Sequence, residues 1–170
     1  MLPKSYIVAK WTVYALATLA LSALQRLVLD HISLWDVTPF IFPMLPALVA
    51  SYEGLHRGGN FALVLGLFCD LLLAGPFAGF YTITFAVIGL LSGQIGENVM
   101  SPGWLCGFTV SAIGLALVAA ARLLLFFISG ELHLLLMSRI ALVEIVITLP
   151  LLLIALPIYR WIHARCATDY

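Results

Sequence analysis

The sequence predicts an all-α membrane domain, a bundle of about six hydrophobic helices crossing a lipid bilayer. Three observations lead there. Of the 170 residues, 64% are hydrophobic and only 9% are charged, whereas soluble domains are about half apolar and a quarter charged. The apolar residues come in continuous Leu- and Ala-rich runs, unlike the alternating segments of a membrane β-barrel. Lipid offers no partner for a backbone amide, so such runs are expected to be helices. The length suits one domain, residues 1–170, holding about six spans of roughly 20–25 residues.

The rare charges punctuate the chain into six segments. Span 1 is expected at about 7–29; Lys10 interrupts what would otherwise read as a signal sequence, and the apolar pattern continues beyond it. Span 2, about 37–52, contains Pro39, Pro43 and Pro46. It is short for the ~30 Å hydrocarbon core, and prolines kink or break a helix. Thr38-Pro39 is read as its N-cap and first helical residue, with a re-entrant segment as the competing reading. Span 3 covers about 59–75, span 4 about 79–96 after a short Pro76–Gly79 turn, span 5 about 104–129, and span 6 about 140–159.

Six crossings put both termini and the loops near 53–58 and 97–103 on one side, with Lys4, Lys10, Arg57, Arg160 and Arg165. Arg26 and Arg139 fall on the other. Basic residues favour the cytoplasmic side, so both termini are expected there. Trp11, Trp35, Trp104 and Trp161 fall near span ends, where interfacial aromatics anchor.

Composition also excludes classes. Eight basic and eight acidic residues cancel, and no basic block could track a phosphate backbone, which argues against nucleic acid. The scattered Cys69, Cys106 and Cys166 form neither a disulfide framework nor a metal spacing. His31, His56, His133 and His163 are placed in loops or tails. No Ser–His pair within the spans, no His-Glu-x-x-His and no aspartate pair is apparent, so neither enzyme chemistry, nor a metal, nor a cofactor is expected. No internal repeat of the transporter type stands out.

Three constellations remain. Gly89, Ser92, Gly93 and Gly96 lie at i, i+3, i+4 and i+7, a small-residue strip that lets helices approach closely. It serves either as a docking face for a partner helix or as packing within the bundle. Asp70, Arg122, Glu144 and Arg26 are ionisable groups inside the expected spans, all in the outward half. Such groups are costly in lipid and are paired or functional. Arg122 is expected to pair with Asp70 or Glu144, and Asp70 with Arg122 is taken as the internal strut. The third is the hairpin segment with Gly66, Asp70, Gly75, Pro76 and Gly79. Here Asp70 either fixes the turn between spans 3 and 4 through freed backbone groups or binds a cation.

The central stretch resembles the rod shape-determining MreD family. The resemblance rests on Gly58-Gly59, Gly66-Leu67-Phe68-Cys69-Asp70-Leu71-Leu72, Pro76, Gly79, and Gly89 with Gly93, after the proline-rich segment Pro39 to Pro46. It covers about 40 residues; elsewhere the hydropathy layout is similar. It implies a non-enzymatic bacterial inner-membrane subunit of the cell-elongation machinery, scaffolding lateral peptidoglycan synthesis. Its partners would be an MreC-like membrane protein and, indirectly, MreB, RodA and peptidoglycan synthases; a homo-oligomer stays open. The partner surface would be the Gly89, Gly93, Gly96 strip. The layout is also similar to the S components of energy-coupling-factor vitamin transporters, the alternative. Their first-helix Ala-x-x-x-Ala pattern is not kept here: leucine follows Ala17, Ala20 and Ala23 at four residues, with only Thr18 and Ser22 as a small pair. His31, Trp35, Asp36, Glu131 and His133 would be the outward loop residues for a ligand in that reading.

Overall fold

Proline placement decides where the central element of the fold begins. The structure, a computed structural model, describes residues 4–33, 35, 37–73, 75–130 and 134–167. Its helices are α1 (Lys4–Leu27), α2 (Met44–Leu72), α3 (Phe80–Asn98), α4 (Trp104–Ile128), α5 (Leu134–Thr148) and α6 (Leu152–Ala167). A 3₁₀ turn, Leu29–His31, follows α1, and another, Leu149–Leu151, joins α5 to α6. No strand occurs among the described residues. Three stretches are long and apolar enough to cross a membrane: Val8–His31, Trp104–Ile128 and Leu136–Arg165.

Residues 37–43 are not helical, which corrects the helix start expected at Thr38-Pro39. The helix begins at Met44, immediately after Pro43. Pro46 then falls in the first turn, where an amide N–H has no partner in the helix and its loss costs nothing. Most of this segment is buried, Thr38 being exposed, so its buried backbone groups need partners. Gln25 of α1 supplies two: its Oε1 accepts the Ile41 N–H at 3.0 Å, and its Nε2 donates to the Pro39 carbonyl at 2.7 Å. Thr148 Oγ1 accepts the Phe40 N–H at 3.0 Å.

Spans 2 and 3 were expected as separate helices, and α2 is indeed two helical arms, before and after a sharp reversal at Gly54. Gly54 has φ +81° and ψ 178°, a backbone state open to glycine at no steric cost. Residues eight apart in a straight helix are about 12 Å apart along its axis. Here Gly58 lies directly against Ala50, so close that a Cβ on Gly58 would come within 2.6 Å of the Ala50 Cβ. The two arms therefore fold back on each other. Leu55, the first residue after the reversal, donates its N–H to Glu97 Oε1 of α3 at 2.9 Å.

The first arm of α2 is the centre of the core: every residue from 41 to 52 is buried. Around it pack Tyr14 and Leu21 of α1, Phe85 and Ile88 of α3, Val110 and Leu115 of α4, and Leu156 and Tyr159 of α6. Span 6 is longer than expected. Pro150 loosens the chain into a 3₁₀ turn, but α5 and α6 continue through it, and the apolar stretch covers 30 residues. Three of the six expected spans, the first, fifth and sixth, thus fall on stretches long and apolar enough to cross a membrane, and the second is a non-helical segment, 37–43, followed by the first arm of α2.

Candidate functional site

Small residues bring α2 and α3 together first. A Cβ on Gly89 would fall 2.5 Å from the Ala62 Cβ, and one on Gly93 2.7 Å from the Leu55 Cα. One on Gly96 would fall 2.9 Å from the Ser51 Cα, and one on Gly66 2.6 Å from the Thr82 Cα. Ser92 is buried on the same helix. The strip expected as a partner's contact surface is therefore filled by α2 of the same chain. It gives backbone-to-backbone contact within the bundle, the alternative that the spacing left open.

That close approach positions Asp70. It lies near the end of α2, level with the first turn of α3. Its Oδ1 accepts the Tyr81 N–H and its Oδ2 the Thr82 N–H, both at 2.9 Å, and Oδ2 also accepts the Thr82 hydroxyl. These amides are among the four that a helix start leaves unpaired, and a carboxylate there also meets the positive end of the helix dipole. Gly79, with φ +89°, makes the turn that presents them. Gly75 and Pro76 form the connection before it, outside both helices. Arg26 performs the matching task at the other helix end: its Nη2 donates to the Leu72 carbonyl at 2.8 Å, while Nη1 lies 3.5 Å from Asp30 Oδ2.

Asp70 therefore binds the α2–α3 turn, and the Asp70–Arg122 strut does not form. Replacing Asp70 by alanine orphans the first-turn amides of α3, and hydrogen bonds to a charged group contribute about 1.5–3 kcal/mol each. The expected result is a clear fall in thermal stability in detergent, with Asp70→Asn intermediate. An unchanged melting curve for Asp70→Ala would refute the capping role.

Arg122 pairs with Glu144. Its Nη1 lies 3.2 Å from both carboxylate oxygens, and its Nη2 donates to Tyr81 Oη at 3.3 Å. The guanidinium sits 4.8 Å from the centre of the Phe40 ring, a cation–π arrangement. Tyr81 thus links the two charge sites, its N–H on Asp70 and its hydroxyl on Arg122. Tyr81 was not singled out beforehand; only its place after the Gly79 turn hinted at it.

The pair lies in an open cleft of ≈570 Å³ between α4 and α5. One wall is Ala119, Arg122, Leu123 and Phe126 of α4, and the other is Met137, Ile140, Ala141 and Glu144 of α5. Both sets have the i, i+3, i+4, i+7 spacing of one helix face. Gly75 and Pro76 also border it. The pair is not fully covered: the Arg122 side chain is 28% and that of Glu144 16% exposed.

A second polar cluster gathers at the Gly54 end. Glu53, expected in a loop, has a side chain only 2% exposed. It lies 2.6 Å from Lys10 Nζ and accepts the Tyr14 hydroxyl at 2.9 Å. His163 Nδ1 is 3.3 Å away, so His163 lies in α6 and not in a loose tail. Burial alone would raise the Glu53 carboxyl, but the bonds from His163, Lys10 and Tyr14 outweigh it and hold the group down at about 2. Thr18 and Ser22 are buried within the bundle, Thr18 Oγ1 lying 2.9 Å from Tyr159 Oη. Asp36, Glu131 and His133 lie outside the described residues, and Trp35 is exposed.

Among the described residues, no three His, Cys, Asp or Glu side chains converge on one point as metal ligands would. No family model matches this chain, and no curated protein or solved structure matches it.

Proposed function

We propose that this chain is a non-enzymatic assembly subunit of a bacterial cytoplasmic membrane, MreD-like in role, that helps organise lateral peptidoglycan synthesis. One observation carries the assembly reading: the Arg122–Glu144 pair, within two apolar membrane-length stretches, is left incompletely covered in the open α4–α5 cleft. Ionisable groups at membrane depth are costly unless enclosed by protein or water, and a bound partner would complete the enclosure. The shape-determining part of the reading rests on the motif resemblance, with an MreC-like protein as direct partner and MreB, RodA and peptidoglycan synthases reached through it.

The proposed topology has six crossings with both termini cytoplasmic. The second crossing combines the non-helical 37–43 segment with the first arm of α2. At 1.5 Å per helical residue the arm alone covers about 15 Å, so the 37–43 segment supplies the rest of a ~30 Å core. Its non-helical backbone is largely buried in protein, with the Pro39 carbonyl and the Phe40 and Ile41 amides hydrogen-bonded, the condition under which such backbone is tolerated at that depth. Lys10 and His163 both meet Glu53, which supports placing the two ends of the chain on one side.

A second reading draws on the same cleft. Its volume lies in the ~300–1,000 Å³ range of small-molecule sites, as the S component of a vitamin transporter would need. Affinity purification from the native membrane separates the two. The assembly reading expects an MreC-like protein to co-purify, and rounded cells on depletion. Co-purification of paired ATPases with a coupling subunit, or tight binding of a vitamin, would establish the second reading instead.

A further inference from the structure

We propose that the α4–α5 cleft receives a single transmembrane helix of the partner, carrying a neutral hydrogen-bonding side chain opposite Arg122 and Glu144 and no ionised one. This rests on the assembly reading above and specifies its partner. Two observations carry it. The first is shape. Each wall is a two-turn helix face, about 10 Å long, and the Arg122–Glu144 contact joins the two. A groove between two helix faces is filled by the ridge of a third helix. Ala119 and Ala141 let its backbone come close, as small residues do between membrane helices.

The second is charge. Arg122 and Glu144 face one another at 3.2 Å, so the site as a whole is neutral. A carboxylate on the incoming helix would compete with Glu144 for the guanidinium and leave one anion stranded in lipid. A lysine or arginine would do the same to Arg122. A serine, threonine, asparagine, glutamine or tyrosine matches both: it accepts from the guanidinium, which carries five N–H groups, and donates to the carboxylate, which accepts at several positions. Such groups hold membrane helices together without unpaired charge.

The test uses the full chain in its native membrane. A benzophenone side chain replaces Ile140 in the cleft and, as a control, the exposed Val64 on the second arm of α2. The expected adduct at 140 is a membrane-spanning peptide of another protein, with a Ser, Thr, Asn, Gln or Tyr within one turn of the reacted residue and no ionisable residue at that level; position 64 should give lipid. Exchanging the charges (Arg122→Glu with Glu144→Arg) should keep the adduct within about two-fold, because a neutral side chain can serve either orientation, while Arg122→Gln alone should lower it roughly ten-fold. A partner peptide with an ionised residue at that level, or an adduct lost on charge exchange in a protein that still runs as one species by size exclusion, overturns the inference and leaves the assembly reading standing. A peptide of this same chain, a second copy, also overturns it. Lipid alone at both positions overturns both. If the exchanged protein does not fold, the peptide captured by the unexchanged chain decides the matter alone.

Discussion

Replacing Gly58 by alanine is expected to lower the melting temperature in detergent by about 2–12 °C. The added Cβ would fall on the Ala50 Cα and 2.6 Å from its Cβ, and the obstacle is backbone, which cannot rotate aside as a side-chain tip can. Overpacking of this kind costs about 1–3 kcal/mol or more, and for a chain of this size each kcal/mol moves the transition by roughly 2–4 °C. Ala50→Gly in the same chain should recover only part of the loss, since it removes the Cβ and leaves the Cα in place. Gly103→Ala is the control: an added Cβ there would meet only the Ser101 carbonyl at 3.7 Å, and no change is expected. If Gly58→Ala melts with the unchanged protein, the two arms of α2 do not cross as described.

That crossing also marks the limit of what the sequence made legible. Long apolar runs carry their own evidence for helix, because lipid leaves the backbone no other partner, so α1, α3 and α4 lie close to the expected segments. A reversal was expected near 53–58, but not its tightness at the single residue Gly54. Tyr52-Glu53-Gly54 reads as an ordinary polar connection, and nothing local says that the chain turns within one residue. The proline-rich segment was expected to break, and it does. What could not be read was its partner, because Gln25 and Thr148 are 16 and 108 residues from the amides they accept. Charge positions were visible through their rarity, but pairing depends on which helices become neighbours. Asp70 and Glu144 were both candidates for Arg122 and Asp70 was preferred, but the contact of α2 with α3 turns Asp70 toward the Tyr81 and Thr82 amides and leaves Arg122 to Glu144.

Glu53 shows the same limit with the larger energetic consequence. Its neighbours come from α1 and α6, 39 and 110 residues away for Tyr14 and His163. Removing the carboxylate by Glu53→Ala leaves the Lys10 ammonium, only 12% exposed, without the anion that compensates its burial. Breaking a buried pair from one side costs about 3–5 kcal/mol. The same contacts hold the carboxyl well below its ordinary 4.5 in the fold, at about 2. A carboxyl held low stabilises the fold fully above its unfolded value, and the contribution is lost as pH falls from about 4.5 towards 2. The melting temperature of the unchanged protein should therefore be insensitive to Glu53 above about pH 5 and drop steeply below pH 4.5. Glu53→Gln should melt lower at neutral pH and show a shallower acid decline. Lys10→Met combined with Glu53→Gln should recover most of the loss, because it removes the stranded cation along with the anion. If the double variant is no more stable than Glu53→Gln, the loss has another source than Lys10. An acid decline unchanged in Glu53→Gln would show that other carboxylates govern it. The expected recovery follows from the geometry: Lys10, Tyr14 and His163 converge on one carboxylate, and that carboxylate ties α1 and α6 to the turn of α2.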